Sequence, residues 1–432
     1  MKISGVDWCQ NIPDNWSIIP SKYLFRDSNV RRLDGDIQLT ASQKYGIISQ
    51  VDYMEREQAS IVLANKGLES WKHVEPLDFI ISLRSFQGGL EMSEVKGCIT
   101  WHYVVLKATQ AIHHAYYKWL FKSAQYITAL QRTCNFIRDG QDLRYSNFAK
   151  VPLPYPPVEE QKTIANFLDN KCAEIDALME DIRVEISTLE EYKKSVITEA
   201  VTKGLNPDAE MKDSGIAWVG KCPEHWKILK IRDSISKIES GVSVNAATYP
   251  AGDNEIGVLK TSCVSKYIFD AIENKAVNKN EESRVSCPVR KGCIIVSRMN
   301  TPDLVGACGY VAEEANGIYL PDRLWQVHVK TTYSAQYVTY YLMSHIARSY
   351  YASIAVGTSS TMQNISQKEF GCMFFCVPEI GEQQAIADYL DAKCDEIAAT
   401  IAEKQKQLTT LEEYKKSLIY EYVTGKKEVP TL

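Results

Sequence analysis

Two long stretches of the chain place apolar residues at spacings of mostly three and four, the period of one helix face. In the first they fall at Ile164, Leu168, Ile175, Leu178, Ile182, Ile186, Leu189, Tyr192 and Val196. In the second they fall at Ile386, Leu390, Ile397, Ile401, Leu408, Leu411, Tyr414 and Leu418, and Lys404 stands where the first stretch has Ile182. Pro157 and the acidic pair Glu159 and Glu160 suit a helix start, Gly204 and Gly425 suit C-terminal caps, and neither stretch contains proline. The pattern predicts two helices of forty-odd residues, each a rod of roughly 65 Å at 1.5 Å per residue.

Elsewhere the period changes. Short β-branched runs, "FIISL", "YVVLK", "CIIVS" and "LWQVHV", alternate with turn signals such as "DG", "GG" and "NG" and read as strands. "SAQYITALQRTC" and "SAQYVTYYLMSHIARSYY" read as helices that share the opening "SAQY" at Ser123 and Ser334. The predicted class is α/β in the α+β sense. A mixed globular domain over residues 1–156 is followed by a long helix over 157–204. A second mixed domain over 205–377 is followed by a second helix and tail over 378–432.

The two halves are copies. Glu160–Lys203 aligns with Glu382–Gly425 at a constant offset of 222, without a gap and with 23 identities in 44 positions. "TLEEYKKS" occurs at Thr188 and again at Thr410, and "SGVDWCQNIPDNW" (Ser4–Trp16) returns as "SGIAWVGKCPEHW" (Ser214–Trp226). Repeats at this scale govern architecture before any local motif does. Matching apolar stripes in one chain favour mutual burial as a coiled coil. The packing positions are Ile175, Leu178, Ile182, Ile186 and Leu189 in the first helix, and Ile397, Ile401, Leu408 and Leu411 in the second. A parallel pair would oblige the second domain, roughly 40 Å across, to return the chain the full rod length. An antiparallel pair only needs it to bridge adjacent helix ends, so an antiparallel spacer with an approximate two-fold axis is predicted.

Charge refines this picture. The chain carries a net −5, yet residues 159–203 hold 6 basic and 11 acidic side chains and residues 379–427 hold 7 and 10, which leaves the rest at +3. The acidic helices suit protein contacts, and the mildly basic middles permit DNA. Twelve cysteines without a CxxC pair suit reduced thiols in the cytoplasm. No run of eighteen apolar residues suggests a membrane span, and the N-terminus lacks the apolar core of a secretory signal.

Signals for chemistry are weak. "GIAWVGKC" (Gly215–Cys222) approaches a phosphate-binding loop, but Cys222 replaces the hydroxyl, Pro223 follows and no apolar strand precedes, only "DAEMKDS". Asp78 with Glu94-Val95-Lys96 fits the loose acid…ExK pattern of Mg²⁺ nucleases. No HExxH, GxSxG or GxGxxG is present, and His113-His114 is assigned to a polar surface. The chain is expected to be non-catalytic by itself, with no metal or cofactor of its own.

The constellation resembles the specificity subunit of Type I restriction–modification systems across nearly the whole chain. The "PxxW" openings (Pro13–Trp16, Pro223–Trp226), the doubled "EQxxIAxxLDxK" (Glu160–Lys171, Glu382–Lys393) and the "LEEYKKS" helix ends carry it. So do "DFIISLRSFQGGLEMS" (Asp78–Ser93), "GCIIVSRMNTPDLVG" (Gly292–Gly306) and "GTSSTMQNIS" (Gly357–Ser366). The resemblance implies two target recognition domains on an antiparallel spacer, reading double-stranded DNA. It further implies two methyltransferase subunits as partners, restriction subunits that join them, and S-adenosylmethionine, ATP and Mg²⁺ held by those partners. Dissimilar middles imply an asymmetric, bipartite DNA site.

Arg84 and Arg298 end matching runs, and arginine contacts guanine O6 and N7 bidentately. Ser85, Gln87, Asn300 and Thr301 follow them, and Thr358, Ser359 and Ser360 offer hydroxyls to phosphates. Two other readings stay open: a metal-dependent nuclease built on Asp78, Glu94 and Lys96, and a coiled-coil adaptor that does not bind DNA.

Overall fold

A computed structural model describes residues 1–60, 63–64, 66–82, 88–134, 143–359 and 362–430, with the backbone alone at 358 and 359. The chain forms two compact units, Met1–Ile182 with Lys406–Leu432, and Arg183–Gln405. Each unit thus contains part of both long helices, Val158–Lys203 and Ile380–Val423.

In the first unit a four-stranded antiparallel sheet runs in the order Phe25–Ser28, Val104–Ala108, Phe79–Ile81, Glu91–Met92. The runs "FII" and "VVL" are buried at every position, as expected of strands covered on both faces. Ile80 and Val105 enter a cluster with Leu39, Ile47, Val74 and Ile99. The Phe79 ring meets those of Phe25 and Phe121 at 5.6 and 5.0 Å. Phe121 lies on the helix His114–Lys122.

The second unit repeats the strand order with Ile235–Ser240, Leu324–Val329, Ile294–Ser297 and Cys308–Tyr310. Ile294, Val296, Trp325 and Val327 share a core with the helix Ala335–Met343. Ile295 and Leu324 project into a second cluster with Leu259, Val264 and Leu320. The alternation follows the two-residue period of a strand. Each unit also has a small ribbon that leads into a long helix: Ser17–Ile19 with Leu153–Tyr155, and Lys227–Lys230 with Phe374–Val377.

The doubled motifs meet at the helix ends. Trp16 Nε1 donates to Glu160 Oε1 at 2.8 Å, and Trp226 Nε1 to Glu382 Oε1 at 3.1 Å. The adjacent glutamines, both buried, are used on both sides. Gln161 Oε1 accepts from His113 N and its Nε2 donates to the Pro156 carbonyl, at 2.8 and 2.9 Å. Gln383 does the same with Ser334 N and the Pro378 carbonyl, at 2.9 and 2.8 Å. Buried tyrosines cap the opposite helix: Tyr116 Oη donates to the Val423 carbonyl and Tyr337 Oη to the Val201 carbonyl, at 2.7 and 3.2 Å. Gly425, at φ +67°, closes the second helix, and a Cβ there would run into the Pro13 ring.

These contacts correct the reading of "SAQY". Tyr116 and Tyr337 are the equivalent residues, since each meets its opening tryptophan edge-on, at 6.3 and 6.5 Å. Ser334 therefore corresponds to His113, and Ser123 begins the next helix, Ala124–Gln131. The shared tetrapeptide falls on non-equivalent helices. His114 also departs from its surface assignment: its ring stacks over Phe79 at 6.3 Å, and burial lowers its pKa.

Within each unit the long helices pack antiparallel. In the first, Phe167 meets Tyr422 at 4.5 Å between ring centres and Lys415 Nζ holds both Asp176 carboxylate oxygens at 2.6 Å. In the second, Lys404 Nζ pairs with Glu185 at 2.5 Å, and the Lys193 ammonium acts on the Cys394 thiol. Residue numbers rise on one helix as they fall on the other. Ile175, Ile182, Ile397 and Leu408 are buried, while Ile186, Leu189, Ile401 and Leu411 are half-buried. Leu178 departs from the expected packing set, being 49% exposed, and Met179 is buried instead. The heptad through 168, 172, 175, 179, 182, 186 and 189 puts position 178 out of phase.

Candidate nucleic-acid interface

In the second unit the strand Ile294–Ser297 is buried throughout and delivers the chain to Arg298. The loop that follows is tied at its base, with Ser297 N donating to the Ala307 carbonyl and Gly306 N to the Ser297 carbonyl, at 2.8 and 2.6 Å. Arg348 braces the same loop. Its guanidinium donates to the carbonyls of Val305 and Asp303 at 2.7 and 2.8 Å and to Tyr267 Oη at 2.8 Å. The sequence reading missed Arg348, which lies in a helix with no feature to distinguish it from a surface charge.

A three-stranded antiparallel ribbon brings two distant motifs together. Its strands are Met299–Asn300, Met362–Asn364 and Val356–Ser359, in that order. Asn300 pairs with Gln363, and Ser359 with Met362. Met299–Asn300 and Val356–Ser359, nearly 60 residues apart, thus belong to one surface element. Gly357 allows the close approach, because a Cβ there would collide with the Met362 carbonyl.

Within this element the predicted residues differ in freedom. The Arg298 backbone is fixed by hydrogen bonds from its N–H to the Arg323 carbonyl and from Ile365 N to its own carbonyl, at 3.1 and 3.0 Å. Among the described residues its buried Nε has no hydrogen-bond partner. Such a group costs stability unless something else satisfies it. Asn300 is committed locally: Oδ1 accepts from Thr301 N at 2.9 Å and Nδ2 donates to Ser297 Oγ at 3.2 Å. Thr301 is exposed. Ser360 and the side chains of Thr358 and Ser359 lie outside the described residues, as do Arg84, Ser85 and Gln87 of the first unit.

Each of the nuclease candidates is engaged by a partner outside the set. Asp78 is buried, accepts from Glu75 N at 2.9 Å and pairs with Lys107 at 2.9 Å. Lys96 pairs with Glu75 at 3.1 Å, and Glu94 with Lys118 at 3.4 Å. Among the described residues no group of three His, Cys, Asp or Glu is arranged to hold a metal ion. No described helix is long and apolar enough to cross a membrane.

A duplicated α+β plan, with two dissimilar sheet units and paired long helices, defines the class of molecule. The model of the type I restriction modification DNA specificity domain matches this chain twice, over residues 16–188 and 223–410, and the chain belongs to that family. It is 26% identical over 293 residues to the Type I restriction enzyme MjaVIII specificity subunit of Methanocaldococcus jannaschii, covering 66% of this chain and 64% of that protein. Identity to the EcoKI specificity subunit of Escherichia coli K12 is 23% over 293 residues, covering 65% and 59%. The matched stretch therefore spans less than two thirds of either relative. In fold, the chain is similar to one from work on complex assembly and conformational transition of the type I R-M system. That match has a TM-score of 0.68 and 14% identity and covers 96% and 98% of the two chains. The HsdS subunit from Thermoanaerobacter tengcongensis matches with a TM-score of 0.52 and 15% identity, over 96% and 98%.

Proposed function

We propose that this chain is the DNA-recognition subunit of a Type I restriction–modification complex, each unit reading one half of an asymmetric, bipartite site. The observation that carries the reading is the duplication itself: one strand order occurs twice, and the sequences that follow the matching strands Phe79–Ile81 and Ile294–Ser297 differ. Equal frames carrying unequal sequences suit two unequal half-sites. A continuous helix of 46 residues, at 1.5 Å per residue, is ample to hold half-sites about one DNA turn, ~35 Å, apart. The acidic helices dock two methyltransferase subunits, to which restriction subunits add. S-adenosylmethionine, ATP and Mg²⁺ belong to those partners, and the chain itself is non-catalytic. It acts in the cytoplasm, where the DNA and the partner subunits are.

The test is single-molecule mapping of methylated adenines in cells expressing this chain with its methyltransferase. The expected result is one asymmetric site of two short parts and a fixed gap. An uninterrupted palindrome, or methylation independent of the chain, contradicts the proposal. Lengthening both helices by one turn should change the gap and leave the two half-site sequences as they were.

A further inference from the structure

The second unit holds a groove of about 320 Å³ that none of the sequence motifs indicated. Three cations line it, Lys260, Lys275 and Arg323, together with the hydroxyl residues Ser243 and Thr261. No carboxylate lines it, in a chain whose net charge is −5. By contrast, another groove of the same unit is lined by Glu191 and Glu199 beside its lysines. Lys260 is partly neutralised by Glu273 at 2.8 Å. Lys275 and Arg323 are exposed, and among the described residues neither forms an ion pair. Uncompensated positive charge that the fold does not use is charge available to an anion.

Its place in the fold identifies the anion. Arg323 is the residue whose carbonyl accepts from Arg298 N at 3.1 Å, so the groove abuts the end of the sheet that carries the ribbon. Register agrees: Ser240 pairs with Trp325, so the chain leaving that strand toward Ser243 runs past the same sheet end. An exposed lysine and arginine, with hydroxyls, beside a reading loop have the chemistry that positions a duplex through its phosphates.

We propose that this groove holds backbone phosphates of the DNA beside the half-site read by the second unit, with Lys275 and Arg323 as its main charges. This rests on the DNA-recognition reading above. Phosphate contacts release counterions and carry no base information, so they predict one particular signature.

The experiment uses the full chain assembled with its methyltransferase subunits and compares it with the Lys275→Gln/Arg323→Gln double variant. Affinity is measured on the mapped site and on an unrelated duplex across a salt series. The expected result is equal weakening on both duplexes, with the slope of log affinity against log salt falling by about two. Lys275→Arg/Arg323→Lys should keep the wild-type slope, and an unchanged melting transition would exclude unfolding. An unchanged slope, or a loss confined to the specific site, overturns the groove assignment while wild-type binding stands. Failure of the wild-type complex to bind any duplex would instead overturn the reading on which it rests.

Discussion

The indole Nε1 of Trp16 and the carboxylate of Glu160, 2.8 Å apart, tie the opening motif to the first turn of a long helix. Trp16 is buried, so removing the acceptor strands an indole N–H away from water. Glu160→Ala should therefore destabilise the first unit by about 1.5–3 kcal/mol, the range for a hydrogen bond to a charged partner. Glu382→Ala should do the same to the second unit through Trp226, 3.1 Å away. Urea denaturation followed by tryptophan fluorescence checks both, and a change below about 0.5 kcal/mol in either would contradict the role.

Lys404 occupies a packing position where its counterpart Ile182 is buried, and it pairs with Glu185 at 2.5 Å. Glu185 is half exposed, and ion pairs so placed contribute little, while a polar group in a helix seam costs stability and restricts register. Lys404→Ile should raise the unfolding free energy by about 1 kcal/mol, and Glu185→Ala should change it by less than about 0.5 kcal/mol. Chemical denaturation measures both. A fall in stability for Lys404→Ile would mean that the pair contributes more than its exposure suggests.

Much of this was legible in the residues. The long helices and the strands at Phe79 and Ile294 followed from period and repeat, and the antiparallel run of the helices from how far the second domain can carry the chain. Leu178 misled because spacings of three and four admit two neighbouring phases, and only the partner helix selects Met179. "SAQY" misled because identity over four residues outweighed role. Tyr116 and Tyr337 are recognisable as equivalents only through the Val423 and Val201 carbonyls they cap. The groove at Lys275 and Arg323 assembles residues about 50 positions apart, a separation that no local pattern encodes.

Acid sensitivity should centre on Glu239 in the second unit. Lys237 Nζ donates to Oε1 at 2.6 Å and His328 Nε2 lies 2.6 Å from Oε2. The hydrogen bond from Lys237, followed by that from His328, lowers the Glu239 pKa from 4.5 to about 2. A carboxylate whose folded pKa is depressed contributes stability above its unfolded value, and that contribution is lost as pH falls through the folded one. Melting temperature should therefore decline between pH 4.5 and 2, and Glu239→Gln should flatten that limb. An identical acid limb in wild type and variant would remove Glu239 from the account.

Arg298 and Asn300, two residues apart, should behave differently when removed. Among the described residues the buried Nε of Arg298 has no partner, whereas both ends of the Asn300 amide are engaged by Thr301 N and Ser297 Oγ. A guanidinium held at a sheet end with donors to spare suits bidentate contact with a guanine edge. Arg298→Ala should cost about 1–3 kcal/mol of discrimination at one base pair of one half-site and leave the other half-site read as before. Asn300→Ala should chiefly loosen the 301–306 loop, lowering thermal stability without a base-specific signature. Competition binding by the assembled complex, with duplexes altered one position at a time, separates the two. Uniform weakening on every duplex for Arg298→Ala would assign that residue to the phosphates, and no change would take it out of the interface.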